Sequence, residues 1–217
     1  MNNNIIGFIG RKGSGKSFFV KELLKSGALK RYIIIDTQNE YSYFGTIIED
    51  VESLREFLLR HGDTDFRVVF KLKHLEDQEE LFWITRNVNN YTLIVEEIHL
   101  FCNPYFIQED LKNNLALGRH KGRSLWYISQ RPAQINKLLT SQSDLIVVVG
   151  AIHEPADLAY FGRMKFSKNL ENLSQYEKSF YGDSSLIGET NKKETPKINP
   201  EEKEIETEEI EEKEKAI

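Results

Sequence analysis

Eight residues constrain this chain more than any others: Gly10, Arg11, Lys12, Gly13, Ser14, Gly15, Lys16 and Ser17. The glycines let backbone N–H groups turn inward and approach phosphate oxygens with no Cβ in the way. At this spacing Lys16 reaches β- and γ-phosphates, and the Ser17 hydroxyl is placed to ligate Mg2+. The pattern carries weight only with a strand before it and a helix after it. Both are expected, because residues 5–9 form an apolar β-rich run and residues 17–25 have helical character. The positive end of that helix adds to the anion seat. ATP with Mg2+ is therefore the expected ligand, held by Gly10 to Phe18. The alternative reading is a glycine and serine loop that holds no nucleotide.

The rest of the chain alternates apolar runs with helix-period segments, which predicts an α/β fold with a mostly parallel sheet covered by helices on both faces. Strands are expected at 32–35, ending on Asp36, and at 66–72, 91–95, 125–129 and 145–149. Helices are expected at 77–87, carrying Leu81, Trp83 and Ile84, and at 154–161, with a hairpin around Gly182 and Asp183. Runs such as Leu145 to Val149 show no polar alternation, as expected of central strands buried on both faces. Ligands of such sheets sit beyond the carboxyl ends of the strands. The polar residues that follow each strand are thus the site candidates.

Residues 91–95 deliver Glu96 and Glu97 to that edge. In the chemical reading Glu96 holds Mg2+, directly or through water, and Glu97 accepts a proton from the attacking water. In the bland one they are acidic residues that favour the start of a helix. Residues 125–129 place Gln130 at the tip of the next strand, where an amide can orient water and sense the γ-phosphate, or simply serve the turn before Pro132. Before that strand lies the densest basic cluster of the folded part, Arg119, His120, Lys121 and Arg123. It reads as a solvated loop, a contact to a nucleic-acid backbone, or an arginine finger for a neighbour's nucleotide. The five histidines show no metal-ligand spacing, which argues against zinc.

Residues 189–217 hold eleven glutamates against six lysines, enough to account for the whole formal charge of −5. We expect one ATPase domain at 1–188 and a disordered acidic tail at 189–217, too polar to offset its ordering entropy. The folded part is then neutral, which neither excludes nor favours a nucleic-acid partner, since a local cluster decides. One cysteine, Cys102, fits a reducing compartment. The N-terminal apolar run is too short for a signal peptide, and no stretch is long enough to span a membrane.

These segments together resemble the FtsK–HerA superfamily of P-loop ATPases, and within it the small genome-packaging ATPases of membrane-containing and archaeal viruses. The resemblance spans residues 4–186 and rests on the Gly10 to Ser17 loop, Asp36 followed by Glu40 and Tyr41, the Glu96 and Glu97 pair, and above all Gly118 to Pro132. Glu154, Pro155 and Asp157 also match. It implies a RecA/FtsK–HerA-like sheet, a Gln130 beside the γ-phosphate, and an arginine finger across a subunit boundary, with Arg119 in the family's finger position and Arg131 the alternative. One departure stands out: the family usually has Asp where this chain has Glu96.

The resemblance also implies a motor that moves double-stranded DNA into a capsid as a ring of five or six copies. Its partners would be duplex DNA, copies of itself and a capsid or capsid-vertex protein, in the host cytoplasm or on the virion. Pore-facing loops with Lys71, Lys73 or the Arg119 to Arg123 cluster would grip phosphates. Competing readings are a zonula-occludens-toxin-like phage extrusion ATPase, a small nucleotide kinase, and a nucleotide-gated binding module whose tail recruits a partner.

Overall fold

A computed structural model describes residues 3–188 of the chain. The expected tail at 189–217 lies outside the described residues. In chain order the elements are β1 (Ile5–Ile9), α1 (Lys16–Lys25), β2 (Tyr32–Asp36), β3 (Thr46–Ile48), α2 (Val51–His61) and β4 (Arg67–Lys71). These are followed by α3 (Gln78–Thr85), β5 (Thr92–Val95), β6 (Cys102–Asn103), β7 (Phe106–Ile107), α4 (Glu109–Leu117) and β8 (Ser124–Ser129). The last are α5 (Lys137–Ser141), β9 (Leu145–Val149), α6 (Pro155–Phe161) and β10 (Lys178–Gly182).

Eight strands form one sheet in the order β10-β9-β1-β8-β5-β2-β4-β3, and β6 pairs with β7 in a separate small ribbon. Every ladder of the large sheet is parallel except β9 with β10. The apolar strand runs are buried on both faces, which is why they lack polar alternation. Side chains alternate between two cores. Ile33, Ile35, Leu93, Val95, Leu125 and Tyr127 pack with residues of α2 to α6 on one face. Ile34, Ile94, Trp126 and Ile128 pack with Val20 and Leu24 of α1 on the other.

Parallel strands whose crossovers bring the chain back to the same edge leave all the β-to-α turns on the carboxyl side of the sheet. The turns after β1, β2, β5 and β8 therefore lie side by side, because these strands are neighbours. One expectation is corrected. Gly182 and Asp183 end the edge strand β10 instead of turning a hairpin: β10 pairs with β9, and the chain from 150 to 177 lies between them. Trp83 points outward at 47% exposure, whereas Phe82 fills the core with Leu81 and Ile84.

Candidate functional site

The segment Gly10 to Gly15 joins β1 to α1 as a loop held by one bond to β8 and one within its own backbone. Gly10 N–H donates to the Ser129 carbonyl at 3.1 Å, and Ser14 N–H donates to the Arg11 carbonyl at 3.1 Å. Gly13 and Gly15 take φ of 76° and 96°, a region that side chains with a Cβ disfavour, so both positions require glycine. The α1 N-terminus has no capping side chain and no acidic residue in its first turn. Its free N–H groups therefore face the loop with their positive dipole end uncompensated. Ser14 Oγ is buried without a partner, and Lys16 is buried at the same spot. An orphaned hydroxyl, a buried ammonium and an uncapped helix end all fit a bound polyphosphate. Arg11, Lys12 and Phe18 are exposed around the loop, and Ser17 is half-buried.

Two strands away, β5 ends on Glu96 and Glu97, both buried. Glu97 adopts a left-handed conformation, φ 48° and ψ 53°, which turns its carboxylate back over the sheet edge. Such a backbone is uncommon for a residue with a Cβ and clusters at functional sites. Gln130 Nε2, from the end of the intervening β8, donates to Glu97 Oε1 at 2.6 Å. His99 Nδ1 lies 3.2 Å from the other carboxylate oxygen. Burial pushes the Glu97 carboxyl up, but His99, the Gln130 amide and the Lys16 ammonium together outweigh it and hold the group below the usual carboxylate range. Glu97 is thus poised as a carboxylate.

Glu96 is the opposite case. Burial first, then Glu40, Asp36 and Glu97, push its carboxyl up to about 8. Its Oε2 is buried with no hydrogen-bond partner. A carboxyl that is crowded by other acids and left unsatisfied is what a divalent cation would relieve. Glu96 and Ser17 therefore fit a Mg2+ site completed by phosphate oxygens and water, which needs few protein ligands. Asp36 has a different task. Its two oxygens accept from the N–H groups of Gln38, Glu40 and Tyr41 at 3.3, 3.0 and 2.9 Å, fixing the turn after β2.

The segment after Gln130 is pinned to α6. Arg131 Nε donates to Asp157 Oδ2 at 3.1 Å, Arg131 also lies 3.5 Å from Glu154, and Ala133 N–H donates to Asp157 Oδ1 at 3.1 Å. Glu154 and Asp157 thereby hold the strand end that presents Gln130. The basic cluster divides. Arg123 is buried, donating to Asn114 Oδ1 at 2.8 Å and to the Arg86 carbonyl, so it cannot grip a phosphate as expected. His120 and Lys121 are exposed. Arg119 lies in the turn Gly118–Lys121 ahead of β8, at the amino edge of the sheet and opposite the loop. It is a full strand length from the nucleotide site of its own chain. Lys73 is ion-paired with Glu49 at 2.6 Å, and Lys71 ends β4. A cavity of about 570 Å3, lined by Lys30, Phe57, His61 and Arg67 among others, opens beside the start of β4, away from all this chemistry.

Sequence reasoning missed His99, the pinning of Arg131 by Asp157, and the 174–177 segment that crosses the loop. Proximity to Glu97 was the available signal for the first, and the others depend on tertiary contacts alone.

No family model matches the chain, and no curated protein matches it. Solved structures do. The genome-packaging NTPase B204 of Sulfolobus turreted icosahedral virus 2, solved with ATP-gammaS, is 24% identical over 85% of this chain and 95% of its own, with a TM-score of 0.70. B204 of Sulfolobus turreted icosahedral virus, a DNA-packaging ATPase, is 26% identical over 75% of this chain and 83% of its own, at 0.59. VirB4 of Thermoanaerobacter pseudethanolicus shares the fold at 14% identity and 0.51, over 85% and 91%. The chain has the P-loop NTPase fold, and its architecture is similar to that of the viral packaging NTPases, as the FtsK–HerA resemblance implies.

Proposed function

We propose that this protein is an ATPase that drives double-stranded DNA, as a viral genome-packaging motor built from a ring of five or six copies. The observation that carries the reading is the Glu97 carboxylate held by Gln130 at 2.6 Å, at neighbouring strand ends beside a loop built for polyphosphate. The likeness over nearly the whole length of B204 supports packaging as the task. Gly10 to Phe18 cradle the phosphates through backbone N–H groups, and Lys16 neutralises β- and γ-oxygens. Ser17 and Glu96 hold Mg2+, which supplies charge neutralisation at the phosphates. Glu97 takes the proton of the attacking water, and Gln130 orients that water against the γ-phosphate.

Arg119 acts on the nucleotide of the next copy. Its place at the amino edge puts its own site out of reach, and a head-to-tail contact that repeats from copy to copy closes into a ring. Exposed basic side chains such as Lys121 contact the duplex backbone without reading bases. A capsid or capsid-vertex protein anchors the ring. Host cytoplasm and virion are its places of work.

Steady-state ATP hydrolysis across protein concentration, with and without linear duplex DNA, tests this. The rate should rise with DNA and faster than linearly with protein, and Arg119→Ala should lose about 10³-fold, the lower range for a finger supplied in trans. A rate linear in protein, indifferent to DNA and to Arg119→Ala, would overturn the motor and leave a monomeric ATPase.

A further inference from the structure

The stretch between α6 and β10 crosses directly over the phosphate loop. Tyr176 N–H donates to the Ser14 carbonyl at 3.2 Å, and Gln175 Nε2 donates to the Gly13 carbonyl at 3.1 Å. Gly150 N–H donates to the Glu177 carbonyl at 2.8 Å, tying the same stretch to the end of β9. Tyr176 is held at φ 65°, a left-handed backbone that is a genuine outlier for so bulky a residue. Its ring lies so close to Gly15 that a Cβ there would run into it. The contacts on either side of Tyr176 hold this conformation in place, and such strain is found where a side chain must be aimed.

The ring is aimed at Phe18. The two centroids are 6.3 Å apart at 67°, an edge-to-face pair. Unlike the core aromatics, both remain open to solvent, Phe18 at 58% and Tyr176 at 39%. Two large apolar rings are therefore presented at the lip of an otherwise polar site.

The strand order gives this lip a direction. Glu97 and Gln130 stand at the ends of β5 and β8, on one flank of β1, and mark where the reacting end of a polyphosphate lies. The 174–177 segment joins β9 and β10 on the other flank. A nucleotide whose γ-phosphate faces Glu97 extends its nucleoside toward Phe18 and Tyr176.

Resting on the nucleotide reading above, we infer that Phe18 and Tyr176 form the seat of the purine base, which stacks on their rings. Base stacking on aromatic rings is tolerant of base identity, because every base has a π-face. The Gln175 amide, engaged with the loop, leaves the rings as the main contact.

The test compares two probes that share phosphates and differ in the nucleoside: ADP and inorganic pyrophosphate, each titrated with Mg2+ into the full chain by calorimetry. Tyr176→Gly removes the ring and suits the left-handed backbone, so the segment keeps its course. Phe18→Leu removes the second ring, and Tyr176→Phe keeps the first. ADP affinity should fall about ten- to a hundredfold in Tyr176→Gly and Phe18→Leu, the size of a base–aromatic stack. It should stay at the wild-type level in Tyr176→Phe, with pyrophosphate affinity unchanged throughout. Equal losses for both probes would overturn the seat, because the rings would then be bracing the loop. Unchanged ADP affinity would overturn it too. A wild-type chain that binds neither probe would sink the nucleotide reading itself.

Discussion

At the scale of single residues the site is a contrast between two adjacent carboxyls. Glu97 is kept ionised by an amide, an imidazole and an ammonium, and Glu96 is crowded by acids until its carboxyl is pushed up to about 8. In Glu97→Gln, steady-state hydrolysis should fall about 10²- to 10⁴-fold, the worth of a general base, while ATP binding measured by calorimetry stays intact. A separate pH effect belongs to Glu177. The Lys168 ammonium, then the N–H and hydroxyl of Ser174, hold its carboxyl down at about 2 against an ordinary 4.5. A depressed carboxyl stabilises the fold above its unfolded value, and that contribution is lost as pH falls through the folded one. Thermal melts of wild type and Glu177→Gln should therefore differ at neutral pH and converge between pH 4.5 and about 2. The gap should be small, about 1 kcal/mol or less, because the pair is at the surface. Gly10 to Ser17, Glu96, Glu97 and Gln130 were legible in the sequence because each follows a buried strand. The direction in which Glu97 points was not, because it depends on a left-handed backbone that no residue type announces.

At the scale of elements, Arg123 fastens α3 and α4 to the start of β8. It donates to the last-turn carbonyl region of α3 at Arg86 and to Asn114 of α4. Replacing it by Ala leaves buried acceptors unmatched, so denaturant unfolding should show a loss of about 2–3 kcal/mol. His120→Ala and Lys121→Ala, at exposed positions, should leave stability within about 0.5 kcal/mol. From composition the three basic residues look alike, and only burial separates them. The same limit explains the fold. β1, β2, β5, β8 and β9 were readable because their apolar runs are long and buried on both faces. β3 has only three residues, two of them exposed, and carries no such run. Helix α2 had signals that could have found it, with the Asp50 carboxylate accepting from Ser53 N–H at 2.8 Å and Leu54 and Leu58 buried one turn apart. The hairpin assigned to Gly182 failed because a turn-like pair also suits the end of an edge strand.

At the scale of the whole molecule, the topology sets the candidate nucleotide site and the Arg119 turn at opposite edges of the sheet, a strand length apart. The nucleotide site gathers on the carboxyl edge, and the Arg119 turn lies on the amino edge. In the proposed ring, each copy would bind a nucleotide at one end and complete a neighbour's site from the other, and hydrolysis would be a property of the assembly. DNA stimulation of the ATPase should weaken steeply with salt, because a grip on phosphates releases counterions, and affinity falls about 10³- to 10⁵-fold between ~50 and ~200 mM for six to ten contacts. The most direct measurement of the central claim is displacement of a triplex-forming oligonucleotide from a linear duplex, followed with wild type, Glu97→Gln and Arg119→Ala in the presence of ATP. A moving ring should strip the third strand only with hydrolysable ATP, and neither variant should do so. Displacement that persists in Glu97→Gln, or its absence in a wild type that hydrolyses ATP on that same DNA, would contradict the account.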